Sequence, residues 1–186
     1  MRLFVALQIS NEIREAIAAL IYILKPLDNS WKWTRAENLH VTLKFLGEIS
    51  PQKLPDVIGE LQSIRAKLPI PLKLKSLGFF PNERRPRVLW AGMDPPPNLP
   101  ELASRIDASL AKIGIAREER EFMPHLTLAR SKEGRVSPQL RETLAKHSST
   151  EFGSMSASAF FLIESKLKST GAEYTTLKSF SGAHEL

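Results

Sequence analysis

Residues 3–9, LFVALQI, form a short and nearly unbroken apolar run, which predicts a buried strand. The apolar period then lengthens. Ile13, Ile17, Leu20, Ile21 and Leu24 recur at helical spacing, with Ser10 placed to cap the helix, Glu12 in its first turn and Pro26 to stop it. Trp31 and Trp33 alternate with polar neighbours in SWKWT, which predicts a strand. AEN, residues 36–38, turns the chain into a further strand, HVTLKFLG, residues 40–47. Ser50-Pro51 opens a second helix whose apolar face is Leu54, Ile58, Leu61 and Leu68. Residues 70–80 alternate, pass through the Pro-rich basic turn PNERRPR and return as VLWAG, residues 88–92, a hairpin signal with a long loop. The stiff connector DPPPNLP precedes a third helix that carries Leu99, Leu102, Ile106, Leu110 and Ile113, with Gly114 just past its end. HLTLAR, residues 125–130, predicts another strand, and Ser137-Pro138 starts a shorter helix. Residues 151–165 and 173–180 predict two final strands joined by the turn KSTGAE.

Strands and helices mixed in this order define an α+β class. The two halves have similar content, which fits a pseudo-twofold arrangement. A chain of 186 residues is long enough for one domain, or for two small lobes that share a core. No apolar stretch approaches the length of a membrane span, and Leu3 to Leu7 is too short for a signal-peptide core. The absence of cysteine rules out disulfides and thiolate metal sites and suits a reducing cytoplasm. The net charge of +6 directs attention to polyanionic partners, nucleic acid first, although charge also serves solubility.

One pattern is repeated. The strands HVTLKFLG and HLTLAR both begin His-apolar-Thr-Leu. Residues two apart on a strand share a face, so His40 lies beside Thr42 and His125 beside Thr127, with aliphatic residues behind each pair. A single His-x-Thr is ordinarily structural; two copies in similar strands suggest a pair of imidazoles facing each other across a groove. A neutral imidazole takes a proton from a nucleophile, a protonated one gives a proton to a leaving oxygen, and threonine hydroxyls donate hydrogen bonds to phosphate oxygens. This is the chemistry of phosphodiester cleavage, and it needs no metal or other cofactor. Two histidines without a well-spaced carboxylate are too few ligands for zinc.

The sequence resembles the 2H phosphoesterases, named for paired His-x-Thr motifs, and among them the RNA 2′,3′-cyclic phosphodiesterases, also called 2′-5′ RNA ligases. The resemblance runs over nearly the whole chain: MRLFVAL at the start, WTRAENLHVTLKFLGE (33–48), FPNERRPRVLWAG (80–92), FMPHLTLAR (122–130) and LIESKLKSTGAEYTTLKSF (162–180). It implies one domain over residues 1–186, built of two interleaved lobes. The fold it implies is bilobal and α+β, with two antiparallel sheets lining a central groove and helices outside. It also implies hydrolysis of a 2′,3′-cyclic phosphate at an RNA end to a 2′-phosphate, with reverse 2′-5′ ligation as a related activity. In that scheme His40 is the proton donor to the leaving 3′-oxygen, His125 the proton acceptor, and Thr42 and Thr127 the phosphate ligands. Met123 departs from the pattern, since a polar or basic residue is more usual before Pro-His.

Three further residues are candidates for the groove. Arg130 could pair with phosphate or stack on a base, but strict alternation places it opposite His125 and Thr127, so it needs a bulge or a strand end to reach the groove. Phe4 is either a stacking surface or core. Lys44 shares a face with His40 and Thr42 and would border the groove. Arg84, Arg85 and Arg87 form a basic loop that either guides RNA or is a solvated tip. Trp31 and Trp33 read as core or rim, and His147 and His184 as surface residues. A monomer is the expected state. The alternatives are an RNA-binding module without turnover, and a phosphodiesterase for small cyclic nucleotides.

Overall fold

The computed structural model describes residues 1–94, 96–169 and 171–182; His184 lies outside the described residues. Among the described residues, four α-helices accompany a curled antiparallel sheet. The strands are β1 (Arg2–Gln8), β2 (Trp31–Trp33), β3 (His40–Glu48), β4 (Ile70–Phe80), β5 (Val88–Asp94), β6 (His125–Ser131), β7 (Glu151–Ala157), β8 (Ala159–Lys168) and β9 (Gly171–Ser181). The helices are α1 (Asn11–Leu24), α2 (Leu54–Gln62), α3 (Asn98–Lys112) and α4 (Pro138–Lys146). Local chemistry sets their ends. The Ser10 hydroxyl accepts from the Ile13 N–H at the start of α1, and Ser137 does the same for the Leu140 N–H at the start of α4. Ile13, Ile17, Leu20, Ile21 and Leu24 are the buried stripe of α1, as their spacing predicts.

The strands run β7-β4-β5-β6-β3-β1-β8-β9, with β2 added to β6. They form one hydrogen-bonded sheet rather than two separate ones. The join is narrow, because β3 and β6 pair only at Val41 and Leu126. The sheet therefore has two arms, β3-β1-β8-β9 and β6-β5-β4-β7, that diverge from a one-residue seam. Core leucines such as Leu7, Leu74, Leu89 and Leu126 are fully buried beneath both arms; each such side chain contributes about 1.5–3 kcal/mol relative to remaining exposed.

Two further expectations need correction. The second helix ends at Gln62, well short of Leu68. Leu68 precedes a proline, whose ring disfavours helical backbone in the residue before it. The run 151–165 is not one strand. It divides at Ser158 into β7, which pairs with β4 at the edge of one arm, and β8, which pairs with β1 inside the other. Alternation continues through the division, so the change of partner leaves no mark in the pattern.

Candidate active site

The seam brings the repeated motif together. With Val41 opposite Leu126 in an antiparallel register, His40 falls opposite Thr127 and Thr42 opposite His125. Val41 and Leu126 are fully buried, so all four polar side chains take the other face. His40, Thr42 and Thr127 line a groove of about 530 Å³ that extends over β1, β8 and β9. His125 completes the quartet from β6, close enough that charge on one imidazole disfavours charge on the other.

Both imidazoles are oriented in the same way. Nδ1 of His40 donates to the Asn38 carbonyl at 2.7 Å, and Nδ1 of His125 donates to the Met123 carbonyl at 2.7 Å. A carbonyl only accepts, so the proton sits on Nδ1 and each Nε2 is left for chemistry in the groove. Rings hold them in place. Phe4 lies 4.7 Å from His40 and Tyr174 meets it edge-on at 5.2 Å, while Phe80 meets His125 edge-on at 4.9 Å. Burial lowers His40 from the ordinary 6.5 to about 4; the bond to Asn38 opposes this, and the charges of His125, Arg130 and Arg14 add to it. Burial lowers His125 as well, opposed by Met123 and reinforced by Arg130. Among the described residues, no carboxylate offsets these effects in either case.

The strands do not alternate strictly, and the exception occurs in both. Against β1, Val5 pairs with Lys44 and Ala6 with Thr42, so Leu43 is an extra residue. Against β5, Leu89 pairs with Ala129 and Trp90 with Thr127, so Leu128 is extra. Each bulge turns the following residues over. Lys44 and Ala129 become buried, and Phe45 and Arg130 emerge in the groove. Arg130 thus reaches the groove by the bulge that its position requires, and among the described residues its guanidinium makes no ion pair or hydrogen bond.

Lys44 does not border the groove. Its side chain is 4% exposed, with Nζ bonded to the Asp107 carboxylate at 2.5 Å and to the Ala116 carbonyl at 2.8 Å. Burial raises the Asp107 carboxyl, but its bonds from Lys44 and the Glu118 N–H outweigh this and hold it low. Phe4 touches the groove but is 2% exposed; it is a prop for His40, with no open face for a base. Trp31 is core and donates its indole N–H to the Arg135 carbonyl. His147 ends α4 beside Thr150, away from the groove. Sequence reasoning missed Phe45, which alternation assigned to the core, and Tyr174 and Asn38, whose roles depend on the β8–β9 hairpin closing over the motif. Asn38 gives its carbonyl to His40 and its side-chain amide to the Ala172 carbonyl at 2.8 Å, which ties the motif to that hairpin. Among the described residues, no three His, Asp or Glu side chains gather closely enough to hold a metal ion, and no helix is long and apolar enough to cross a membrane.

A curled antiparallel sheet with its polar quartet at the seam is the architecture of a phosphoesterase fold. The chain belongs to the LigT-like phosphoesterase family, whose pattern matches residues 7–90 and 93–174. It is 37% identical to the RNA 2′,3′-cyclic phosphodiesterase of Methanocaldococcus jannaschii over 97% of this chain and 100% of that one. Two crystal structures are also similar. A Thermus thermophilus protein covers 99% of this chain and 100% of its own at 32% identity, with a TM-score of 0.83. E. coli LigT in complex with 3′-AMP covers 98% of both chains at 31% identity, with a TM-score of 0.80.

Proposed function

We propose that this protein hydrolyses 2′,3′-cyclic phosphate ends of RNA to 2′-phosphates by two-histidine acid–base catalysis. The observation that carries this reading is the His–Thr quartet across the seam, with both Nδ1 atoms occupied and both Nε2 atoms free. The substrate class follows the relatives, which are named RNA 2′,3′-cyclic phosphodiesterases. Thr42 and Thr127 hold the non-bridging oxygens. His125 Nε2 takes a proton from water as its oxygen attacks phosphorus. The P–O3′ bond breaks, and protonated His40 delivers its Nε2 proton to O3′. The products are a 2′-phosphate and a 3′-hydroxyl, and the two imidazoles exchange protons with solvent to reset. A 5′-hydroxyl in place of water gives a 2′-5′ linkage by the same steps, which is the ligation reading. Assignment of His40 as donor follows the family pattern. Because burial opposes its protonation, the negative charge of the bound phosphate must raise it.

The two arms support a pseudo-twofold reading, since each begins at the seam with a His-x-Thr strand and carries the same bulge. Chain crossings between the arms support one domain of interleaved lobes. A cytoplasmic monomer is part of the same proposal.

The test is hydrolysis of an oligoribonucleotide ending in a 2′,3′-cyclic phosphate, in EDTA, with wild type, His40→Ala and His125→Ala. The expected outcome is a 2′-phosphate product from wild type and a loss of at least about 10²-fold in each variant, with unchanged circular dichroism. Wild type that binds RNA tightly and does not turn it over would establish the binding-module alternative instead.

A further inference from the structure

The net charge of +6 is unevenly distributed. Over much of the surface, cations face carboxylates: Lys73 meets Glu151 at 2.6 Å, Lys75 meets Asp94 at 2.7 Å and Lys168 meets Glu173 at 2.6 Å. Where the end of β6 lies between β2 and the start of β5, the pattern reverses. Lys32, Arg84, Arg85, Arg130 and Lys132 are all exposed, and among the described residues none is paired with a carboxylate. Glu83 and Glu133 are the acidic residues of the same loops, so cations prevail there.

Strand register and loop bonds fix this cluster in place. Arg130 pairs with Lys32 on one side and Val88 on the other. Directly opposed residues share a sheet face, so Lys32 stands beside Arg130 on the groove side, about 5 Å across the ladder. Arg84 and Arg85 crown the β4–β5 loop, where both backbone N–H groups donate to Asn82 Oδ1, at 3.0 and 3.2 Å. That side chain holds the tip in an Asx turn. The β4–β5 loop is joined to the loop after β6: the Ser131 N–H donates to the Arg87 carbonyl at 2.9 Å, and the Arg87 guanidinium donates to the Lys132 carbonyl. The cations therefore form one ledge that continues outward from Arg130.

Arg130 lies three residues beyond Thr127 on β6, at most about 10 Å along the strand. A nucleotide whose phosphate is held by the quartet reaches the ledge's inner end at most. What lies beyond serves only a longer anion. We propose that this ledge binds the sugar-phosphate backbone of a single RNA strand leading away from the reacting end, so that the protein selects polynucleotides over cyclic mononucleotides. The inference rests on the phosphodiesterase reading of the groove.

The experiment compares kcat/KM for a 2′,3′-cyclic mononucleotide with that for an oligoribonucleotide of about eight nucleotides bearing the same end, across a salt series. It uses wild type and the quadruple variant Lys32→Gln, Arg84→Gln, Arg85→Gln, Lys132→Gln. The expected result for wild type is an advantage of at least about tenfold for the oligonucleotide, falling with a log–log salt slope of about −2. In the variant that advantage and slope collapse, while mononucleotide turnover changes by less than about twofold, which also reports an intact fold and site. A variant that keeps both the advantage and the slope overturns the ledge. If wild type turns over neither substrate, the phosphodiesterase reading fails. The ledge is then judged separately, by fluorescence anisotropy of a labelled oligoribonucleotide ending in a 2′-phosphate. Equal affinity of wild type and variant for that RNA would sink it.

Discussion

His40 and His125 share a hydrogen-bonding pattern but not an environment. His40 sits between Phe4 and Tyr174, and its affinity for a proton is lowered to about 4. This has consequences for stability. Between pH 4 and 6.5 the unfolded chain binds a proton at His40 that the folded chain refuses, so stability rises with pH through that window and is complete above it. As pH falls from 6.5, up to about 3 kcal/mol is lost from this group, with no further loss below its folded value. Urea unfolding of wild type and His40→Gln across pH 4–7 measures it. The two curves are expected to converge as pH falls, and parallel curves would sink the claim. Kinetics carry the same signature. The pH dependence of kcat/KM reports the free enzyme, where both imidazoles are lowered, so its maximum is expected on the acid side of 6.5. The maximum in kcat is expected at higher pH, because the bound phosphate's charge favours the imidazolium. A kcat/KM maximum above about pH 7 would contradict the burial account.

At the scale of elements, the paired bulges on β3 and β6 decide which side chains serve the groove. The bulge on β3 moves Lys44 into the protein, where it grips α3 through Asp107 and the segment leading to β6 through Ala116. Lys44→Ala leaves the Asp107 carboxylate with its bond from the Glu118 N–H but without the ammonium, and is expected to cost about 3 kcal/mol in urea denaturation. A loss under about 1 kcal/mol would mean that solvent replaces the ammonium. Asn38 acts from the other side of the motif. Its backbone orients His40 and its amide holds the β8–β9 hairpin. Asn38→Ala keeps the carbonyl but frees the hairpin, so kcat is expected to fall several-fold while urea stability drops by about 1 kcal/mol. Element types were readable from periodicity, because helix and strand spacing is local. The bulges were not, since Leu43 and Leu128 look like ordinary members of an alternating strand. Only the need to bring Arg130 into the groove hinted at one.

Over the whole molecule, the chain passes repeatedly between arms. β1 and β3 belong to one, β2 and β4 to the other, and the strands β7 and β8, joined by Ser158, pair at distant places in the sheet. Neither arm is a continuous piece of sequence, so neither is expected to unfold alone. Trp31, Trp33 and Trp90 all lie on the arm that contains β6, whereas far-ultraviolet circular dichroism reports both arms. The two probes are expected to give coincident denaturation curves. An earlier fluorescence transition would show that the β6 arm is a separate cooperative unit.

The sequence by itself displayed the paired motif and the type of most elements. Two His-x-Thr strands, the helical stripes, the caps at Ser10 and Ser137 and the excess of cations all follow from nearest neighbours and short periods, which a chain displays before it folds. The tertiary structure alone decided three things. It set Val41 against Leu126, so that two distant motifs became one quartet. It turned Lys44 inward and Phe45 outward, because a bulge depends on the partner strand's register. It set Lys32 opposite Arg130 and joined the loop that carries Arg84 and Arg85 to the loop after β6, because proximity between loops is settled by sheet order, which no local pattern records.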